Sequence, residues 1–170
     1  DDSLGFDEML PAIVELTNTA LDELVATRQR EGDKLADMIR ERVARMRELV
    51  AQAAPRMPAV VLEYQERLTA KLRDAVASLD EDRVRQEVAL YAQRIDVDEE
   101  LTRLSTHLDE VERILKSAGA AGKRLDFLMQ ELNREANTLA SKSPATDITA
   151  IAMEMKVLIE QMREQVQNLE

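Results

Sequence analysis

The sequence contains no cysteine and no tryptophan, and its 170 residues include only two phenylalanines, two tyrosines and one histidine. Without cysteine the chain has no disulfide bond, no thiolate nucleophile and no zinc site built on thiolates. Glycine and proline occur four times each, and no run of alternating β-branched residues indicates a sheet. A composition rich in alanine, leucine, glutamate, arginine and methionine is typical of helix bundles and coiled coils. We therefore predict an all-α fold.

Long hydrophobic runs are also missing. No apolar run approaches the roughly 20 residues that a membrane span requires. The first residues, DDSLGFDE, are acidic and unlike a basic, apolar signal peptide. These features predict a soluble, cytoplasmic protein. The chain starts without methionine, which suggests a processed product or one part of a longer protein.

The chain has fewer basic than acidic residues, 23 against 34, and its formal net charge is −11. This balance argues against a sequence-independent nucleic-acid coat held by phosphate contacts. It leaves open local binding of RNA, or binding through a metal ion. Between Lys123 and Lys142 the chain has four basic and three acidic side chains, so this stretch is less acidic than the rest.

The spacing of apolar residues predicts two parts, a long helical hairpin at 1–79 and a helical bundle at 80–170. The first helix should run from about Asp7 to Ala53, and it would be roughly 70 Å long at 1.5 Å per residue. Gly32 is the position where this helix could bend or break. The segment AAPRMP at 53–58 then predicts a turn, because proline ends one helix and fits the first turn of the next.

Helix boundaries inside the predicted bundle follow from capping residues and loop composition. Asp96, with Glu99 three residues later, predicts a break between two helices. SAGAAG at 117–122 is a short joint that would make the flanking helices antiparallel neighbours. ASKSPATD at 140–147 predicts a loop, and a last helix should cover about Ala145 to Leu169.

The stretch from Gly122 to Ser143 has an apolar face and two polar flanks when it is drawn as a helix. Its apolar face is an ordinary core stripe, made of Leu125, Leu128, Met129, Leu132, Ala136 and Leu139. One flank consists of Asp126, Gln130, Asn133 and Asn137, and the other of Arg124, Glu131, Glu135, Thr138 and Lys142. Asparagine is a poor helix former, so its repeated use here suggests a functional role. A helix packed between two neighbours through polar seams is the alternative.

Phe127 points away from the apolar stripe of this helix. An outward aromatic residue next to Glu131, Arg134 and Thr138 indicates either a subunit contact or a platform for a nucleic-acid base.

The single histidine, His107, is in the helix predicted between Asp96 and the joint at 117–122. It shares one flank of that helix with Asp96, Glu100 and Arg103. A lone histidine beside a core stripe is usually a hydrogen-bonded boundary residue. However, a hairpin at 117–122 could bring this flank to Glu131 and Glu135, which are one helical turn apart. An imidazole and several carboxylates could share one divalent ion, with oxygen ligands favouring Mg²⁺ or Mn²⁺ and the imidazole favouring Mn²⁺.

Three segments together resemble a known family. QRIDVDEELTRLSTHLDEV at 93–111, GKRLDFLMQELNREANTLASKS at 122–143 and EMKVLIEQMREQVQNLE at 154–170 are similar to the C-terminal helical domain of the YicC/YloC family of bacterial endoribonucleases. The resemblance implies a cytosolic, metal-dependent endoribonuclease that acts on single-stranded RNA and assembles as a ring-like homo-oligomer, a hexamer. It also implies that the chain lacks the family's N-terminal domain, and an isolated fragment of this kind can be inactive.

The motif positions and the helix geometry together lead to one hypothesis about the site. Glu131 and Glu135 would hold a divalent ion, with Glu100 or Asp126 contributing, and His107 would ligate the ion or act as a general acid or base. Phosphate contacts are expected from Arg103, Arg124, Arg134 and Lys142. Base or sugar contacts are expected from Phe127, Gln130, Asn133 and Asn137. We expect RNA rather than DNA as the substrate.

A helical assembly module without chemistry of its own is the competing hypothesis. In that case the polar seams specify helix pairing, and Phe127 packs into a neighbouring subunit. Leu158, Met162 and Val166 on the last helix could supply further subunit contacts.

Overall fold

A computed structural model describes residues 5–75, 80–117 and 121–167 of the chain. The described residues form six α-helices and one 3-10 turn, with no strand among them, so the all-α prediction is confirmed. The helices are α1 (Phe6–Ala53), α2 (Met57–Ala75), α3 (Glu81–Ile95), α4 (Asp98–Lys116), α5 (Gly122–Lys142) and α6 (Thr146–Gln167). None of them combines the length and apolar character that a membrane span requires.

Helix α1 continues through Gly32 without a break. A glycine in a helix interior costs about 1 kcal/mol relative to alanine. This is too little to interrupt a helix that continues for about seven turns before Gly32 and about six turns after it. A Cβ atom at Gly32 would meet no neighbouring atom, so no close approach requires a glycine there. The break that the sequence allowed at Gly32 is therefore absent.

The contacts of the chain divide it into two units, residues 1–38 and 39–170. In the first unit the helix exposes a series of large apolar side chains, each between 40% and 70% exposed. They are Met9, Leu10, Ile13, Val14, Leu16, Leu21, Leu24 and Val25. The boundary predicted between residues 79 and 80 falls beside residues 76–79, which lie outside the described part of the chain, and it stays a prediction.

The predicted turn at 53–58 is a 3-10 turn, Ala54–Arg56, between α1 and α2. Pro55 lies inside the turn and Pro58 in the first turn of α2, as the sequence indicated. Ala53 and Met57 keep right-handed helical dihedral angles, so the chain makes no tight reversal there. Among the described residues, α2 packs against α3. The long helical hairpin expected at residues 1–79 stays a prediction.

The core of the second unit is built around α5, which packs against α4 on one side and α6 on the other. Its apolar face is buried as predicted, with Met129, Leu132, Ala136 and Leu139 fully inaccessible. The interior also includes residues of α1 such as Ile39, Val43 and Met46. Burial of each large aliphatic side chain contributes about 1.5–3 kcal/mol, so this interior positions α4 and α5 firmly against each other.

Ion pairs surround this core. Arg45 of α1 bonds to Glu154 of α6 at 2.7 Å, and Arg47 bonds to Asp109 of α4 at 2.7 Å. On α6, Met162 and Val166 are buried within the chain and Leu158 is half-buried. The first two are therefore not available as the subunit contacts that the assembly hypothesis suggested.

Aspartate side chains accept hydrogen bonds from backbone N–H groups at the starts of α3 and α4. Asp80 is the N-cap residue of α3, whereas the N-cap position of α4 is Val97, one residue after the predicted Asp96. The side chain of Asp80 accepts a hydrogen bond from the backbone N–H of Asp82, and Asp96 accepts one from Asp98 at 3.0 Å. Each satisfies one of the free N–H groups at a helix start. The loop before α6 is short, since α5 extends to Lys142. Of the joint predicted at 117–122, residues 118–120 lie outside the described part of the chain.

Candidate metal centre and RNA interface

Helices α4 and α5 are joined by a series of polar contacts along one edge of their antiparallel interface. At one end, Nζ of Lys142 lies 2.7 Å from Oε1 of Glu100. At the other end, a guanidinium nitrogen of Arg124 lies 3.3 Å from Oε1 of Glu110. The residue numbers of these pairs decrease on α5 as they increase on α4, as antiparallel packing requires. We call this series the polar ladder.

Positions 100, 103, 107 and 110 of α4 form the polar ladder because spacings of three and four place side chains on one helix face. Residues 124, 131, 135 and 142 of α5 repeat at seven and four and lie on the facing edge. Packing of the two apolar faces therefore brings the two polar edges together, and the prediction that these flanks meet is confirmed.

His107, Glu131 and Glu135 meet at the centre of the polar ladder. One ligand atom of each residue lies within 4.8 Å of a ligand atom of the other two. Glu135 is only 3% exposed, whereas His107 and Glu131 are half-buried. Glu131 and Glu135 are one helical turn apart, so both carboxylates face the imidazole from the same side. We call these three residues the central cluster.

The donor set of the central cluster fits a divalent cation. Ligand atoms of one Mg²⁺ or Mn²⁺ ion lie about 2.1 Å from the metal, so two of them are at most about 4.2 Å apart. Small side-chain rotations from the observed separations would satisfy this geometry. Two carboxylates and one imidazole would leave other coordination positions open to water or phosphate oxygens, as in catalytic metal sites.

Arg103 is the cation next to the central cluster. One of its guanidinium nitrogens lies 3.5 Å from Oε1 of Glu135, and another bonds to Glu99. The negative charge of Glu99, and to a smaller extent that of Glu135, raises the pKa of Arg103 above its ordinary value. The guanidinium therefore stays charged and compensates the buried carboxylate of Glu135.

Glu100 and Asp126, the further metal ligands suggested by the sequence, lie outside the central cluster. Glu100 is 5% exposed and pairs with Lys142 at one end of the polar ladder. Asp126 faces α6, where it lies 3.9 Å from Arg163, and it accepts a hydrogen bond from Gln130 at 2.8 Å. Each carboxylate is thus engaged by a cation or an amide away from His107.

Three of the four cations predicted to contact phosphate are paired with carboxylates: Arg103, Arg124 and Lys142. Arg124 shares its acceptor, Glu110, with Arg113. Hydrogen bonding from Arg113, and then from Arg124, holds the pKa of Glu110 below its ordinary value. Arg134 is exposed and has no ion-pair partner among the described residues. It is therefore the most accessible of the four to an RNA phosphate.

The outer face of α5 presents Phe127, Gln130, Arg134 and Asn137 at spacings of three, four and three. Phe127 is 59% exposed, which confirms that it points away from the core. Asn133 is half-buried beside this face. An aromatic ring, amides and a free guanidinium on one face can stack with bases and bond to their edges.

Glu99 and Glu110, the carboxylates that pair with Arg103 and Arg124, were not among the predicted site residues. Glu99 precedes Arg103 by four residues, a common ion-pair spacing on helices. Glu110 follows His107 by three residues and continues the spacing of the ladder. The same periodicity that placed His107 on this edge could therefore have identified Glu110.

Comparison with known proteins agrees with this architecture. A family model described as "Endoribonuclease YicC-like, C-terminal" matches residues 53–170. The chain belongs to this YicC-like family. It is 53% identical over 168 residues to "Probable endoribonuclease YicC" of Haemophilus influenzae, covering 96% of this chain and 58% of that protein. A Clostridioides difficile protein of the same name is 36% identical over 154 residues, covering 89% of this chain and 53% of that protein.

The chain thus spans about half the length of the curated YicC relatives it matches. The matched YicC-like C-terminal region includes both helices that carry the polar ladder and the central cluster. The family assignment and the cluster therefore concern the same part of the molecule.

Proposed function

We propose that this chain carries the metal-dependent catalytic centre of an endoribonuclease that cleaves single-stranded RNA. The central cluster of His107, Glu131 and Glu135 is the observation that supports this proposal. Its support from the comparisons is that two relatives are named probable endoribonucleases. Cytoplasmic location and assembly as a homo-oligomer, a hexamer, are part of the same proposal.

A bound Mn²⁺ or Mg²⁺ would supply electrostatic stabilisation for negative charge that develops on the scissile phosphate. Glu131 and Glu135 would hold the ion, and the low accessibility of Glu135 would keep its carboxylate in place. His107 would either complete the ligand set or transfer a proton as a general acid or base. In either role its imidazole faces the two carboxylates across the α4–α5 interface.

RNA would lie against the outer face of α5. Arg134 would contact a phosphate, the ring of Phe127 would stack with a base, and Gln130 and Asn137 would bond to base edges or ribose hydroxyls. Arg103, Arg124 and Lys142 would contact phosphates at the rim of the polar ladder while remaining close to their carboxylate partners.

Metal binding is the direct test of the centre. We expect Mn²⁺ to bind to the chain with an affinity that falls on acidification, since protons compete for imidazole and carboxylate ligands. His107→Ala, Glu131→Gln and Glu135→Gln should each weaken binding at least tenfold by isothermal titration calorimetry. Glu87→Gln is the control because Glu87 is an exposed residue of α3 with no described partner. Equal Mn²⁺ affinity in all five proteins would refute the centre.

Cleavage tests the reaction itself. A labelled single-stranded RNA is incubated with each protein, with Mn²⁺ or with chelator, and the product ends are determined. A 2′,3′-cyclic phosphate would mean attack by the neighbouring 2′-hydroxyl, whereas a 5′-phosphate with a free 3′-hydroxyl would mean attack by water. Loss of cleavage in the three cluster variants, but not in Glu87→Gln, supports the proposal. Unchanged rates in the cluster variants would contradict it.

The assembly hypothesis is less favoured by the contacts of α5. Its polar flanks face α4 and α6 of the same chain through Glu135 and Asp126. An assembly function would therefore need other surfaces than these seams, such as the exposed ring of Phe127.

A further inference from the structure

A groove between α2 and the loop before α6 lies outside the central cluster. Its lining residues are Tyr64, Arg67, Leu68, Lys71 and Pro144, and its volume is about 220 Å³. Arg67 and Pro144 also border an adjoining cavity of about 330 Å³, which reaches Arg56 and Asp147. We call this surface the α2 groove.

Two cations in the α2 groove have no described acidic partner. Arg67 and Lys71 are exposed, one helical turn apart, and neither forms an ion pair among the described residues. The two carboxylates that border the adjoining cavity are already engaged, because Arg56 bonds to both Glu63 and Asp147 at 2.9 Å. The groove is therefore locally positive in a chain whose net charge is −11.

An aromatic ring lies beside these cations. Tyr64 is half-buried and lines the groove, three residues before Arg67 and one turn before Leu68. The chain has only four phenylalanine and tyrosine residues in all. A groove that combines cations with an aromatic side chain is the arrangement by which proteins hold single-stranded nucleic acid: the cations contact phosphates and a base stacks on the ring.

The opposite wall of the groove is held in place by local hydrogen bonds. Ser143 accepts a hydrogen bond through Oγ from the backbone N–H of Ala145 at 3.2 Å, which fixes the short loop around Pro144. This loop follows directly on Lys142, at one end of the polar ladder. Lys142 lies two helical turns from Glu135, a rise of about 10 Å.

We infer that the α2 groove binds the single-stranded RNA substrate on one side of the cleavage site. Arg67 and Lys71 contact successive phosphates, and Tyr64 stacks with a base. The strand continues past Lys142 along the polar ladder to the central cluster. This inference rests on the proposed function for the identity of the ligand, but the groove can be tested without cleavage.

Binding of a fluorescently labelled 12-nucleotide oligouridylate is measured by anisotropy in chelator, where metal-dependent cleavage does not occur. The test variant is Arg67→Glu with Lys71→Glu. The matched control is Arg83→Glu with Lys116→Glu, which makes the same change in charge at two exposed positions without described ion pairs. We expect at least tenfold weaker binding for the groove variant and less than twofold for the control.

Two further measurements separate phosphate contacts from stacking. Arg67→Gln with Lys71→Gln should reduce the slope of log affinity against log salt by about 1.4, since each phosphate contact to a single strand contributes about 0.7. Tyr64→Leu should weaken binding about fivefold or more through the loss of stacking, while circular dichroism reports an unchanged helix content. Binding by the groove variant within twofold of the control, or no binding by the unmodified chain, would overturn the inference.

The two proposals fail in different ways. Weaker RNA binding by the groove variants, together with an Mn²⁺ affinity that the three cluster substitutions leave unchanged, would support the α2 groove and refute the catalytic centre. Normal RNA binding by the groove variants, together with cleavage that depends on His107, Glu131 and Glu135, would support the catalytic centre and refute the α2 groove.

Discussion

The guanidinium of Arg103 lies 3.5 Å from a carboxylate oxygen of Glu135, and it is the one cation that pairs with this buried acid among the described contacts. Burial of a carboxylate is costly unless it is compensated by a nearby positive charge or by hydrogen bonds. Arg103 therefore provides the charge that keeps Glu135 inside the α4–α5 interface, next to His107 and Glu131.

Arg103→Gln should lower the thermal unfolding temperature in chelator, because it leaves Glu135 without its counter-charge. Mn²⁺ should reduce the difference in unfolding temperature between this variant and the unmodified chain. A bound cation replaces the lost charge and stabilises the folded state by mass action. Differential scanning fluorimetry with and without Mn²⁺ measures both effects. Arg113→Gln is the control, as Arg113 pairs with Glu110 at the exposed end of α4. If Mn²⁺ raised the unfolding temperatures of Arg103→Gln and Arg113→Gln equally, Arg103 would not be the residue that compensates Glu135.

Removal of the cation at Lys142 should destabilise the chain through Glu100. Glu100 is 5% exposed, and its Oε2 atom is buried without a hydrogen-bond partner, so Lys142 supplies its described compensation. Lys142→Met should cost about 2 kcal/mol in the free energy of unfolding, less than the 3–5 kcal/mol of a fully buried pair because the lysine is partly exposed. Urea denaturation measures this change.

The double variant Glu100→Met with Lys142→Met tests the cause. Replacement of both members of a buried ion pair by apolar side chains is often neutral, so the double variant should be more stable than Lys142→Met alone. A double variant that is less stable than the single one would show that the pair does not act through the buried charge.

Asp147 should contribute a pH-dependent increment of stability. Hydrogen bonding from Arg56 holds its pKa below the ordinary value of 3.8. A lowered pKa in the folded state means that the contribution is present above pH 3.8 and is lost as the pH falls through the folded value. Asp147→Asn should therefore be less stable than the unmodified chain at pH 7, and the difference should shrink below pH 4.

Urea denaturation at pH 7, 4 and 3 checks this dependence. The contribution of this ion pair to stability should be small, since the side chains of Arg56 and Asp147 are 35% and 51% exposed. Glu87→Gln, which removes an exposed charge without a described partner, should match the unmodified chain at each pH. If the stability difference between Asp147→Asn and the unmodified chain grew on acidification, the pKa of Asp147 could not be lowered in the folded state.

The central cluster was predictable because its three residues lie on helices whose apolar faces are unambiguous. Leu104 and Leu108 on α4 and Leu128 and Leu132 on α5 have to face the interior, and this orientation places His107 and Glu131 on the flanks. A short connection between two helices then favours antiparallel packing.

The choice among the remaining acids was not predictable. Glu100 occupies the same flank of α4 as His107, and Asp126 lies one turn before Gln130 on α5, so periodicity alone allows either to join a metal site. The structure assigns Glu100 to Lys142 and Asp126 to α6. These assignments depend on which cation comes within a few ångströms, and such a distance is set by helix packing rather than by spacing along one helix.

The α2 groove shows the same limit over a longer range. Tyr64, Arg67 and Lys71 form an ordinary stretch of an amphipathic helix, and Pro144 follows more than 70 residues later. Nothing in either segment indicates the other. The groove exists only because the loop between α5 and α6 packs beside α2.

Composition and periodicity determined by themselves that this chain is helical, which faces of α4 and α5 are buried, and that His107 and the two glutamates lie at their flanks. Only the tertiary structure decided that α2 packs on α3 and that Arg103 compensates Glu135. It also decided that Arg67 and Lys71, which form no ion pair within the described part of the chain, share a groove with Tyr64. The physical reason is that a helix repeats every 3.6 residues and so orients its own side chains. Contacts between helices depend instead on packing, which brings together residues from distant parts of the chain.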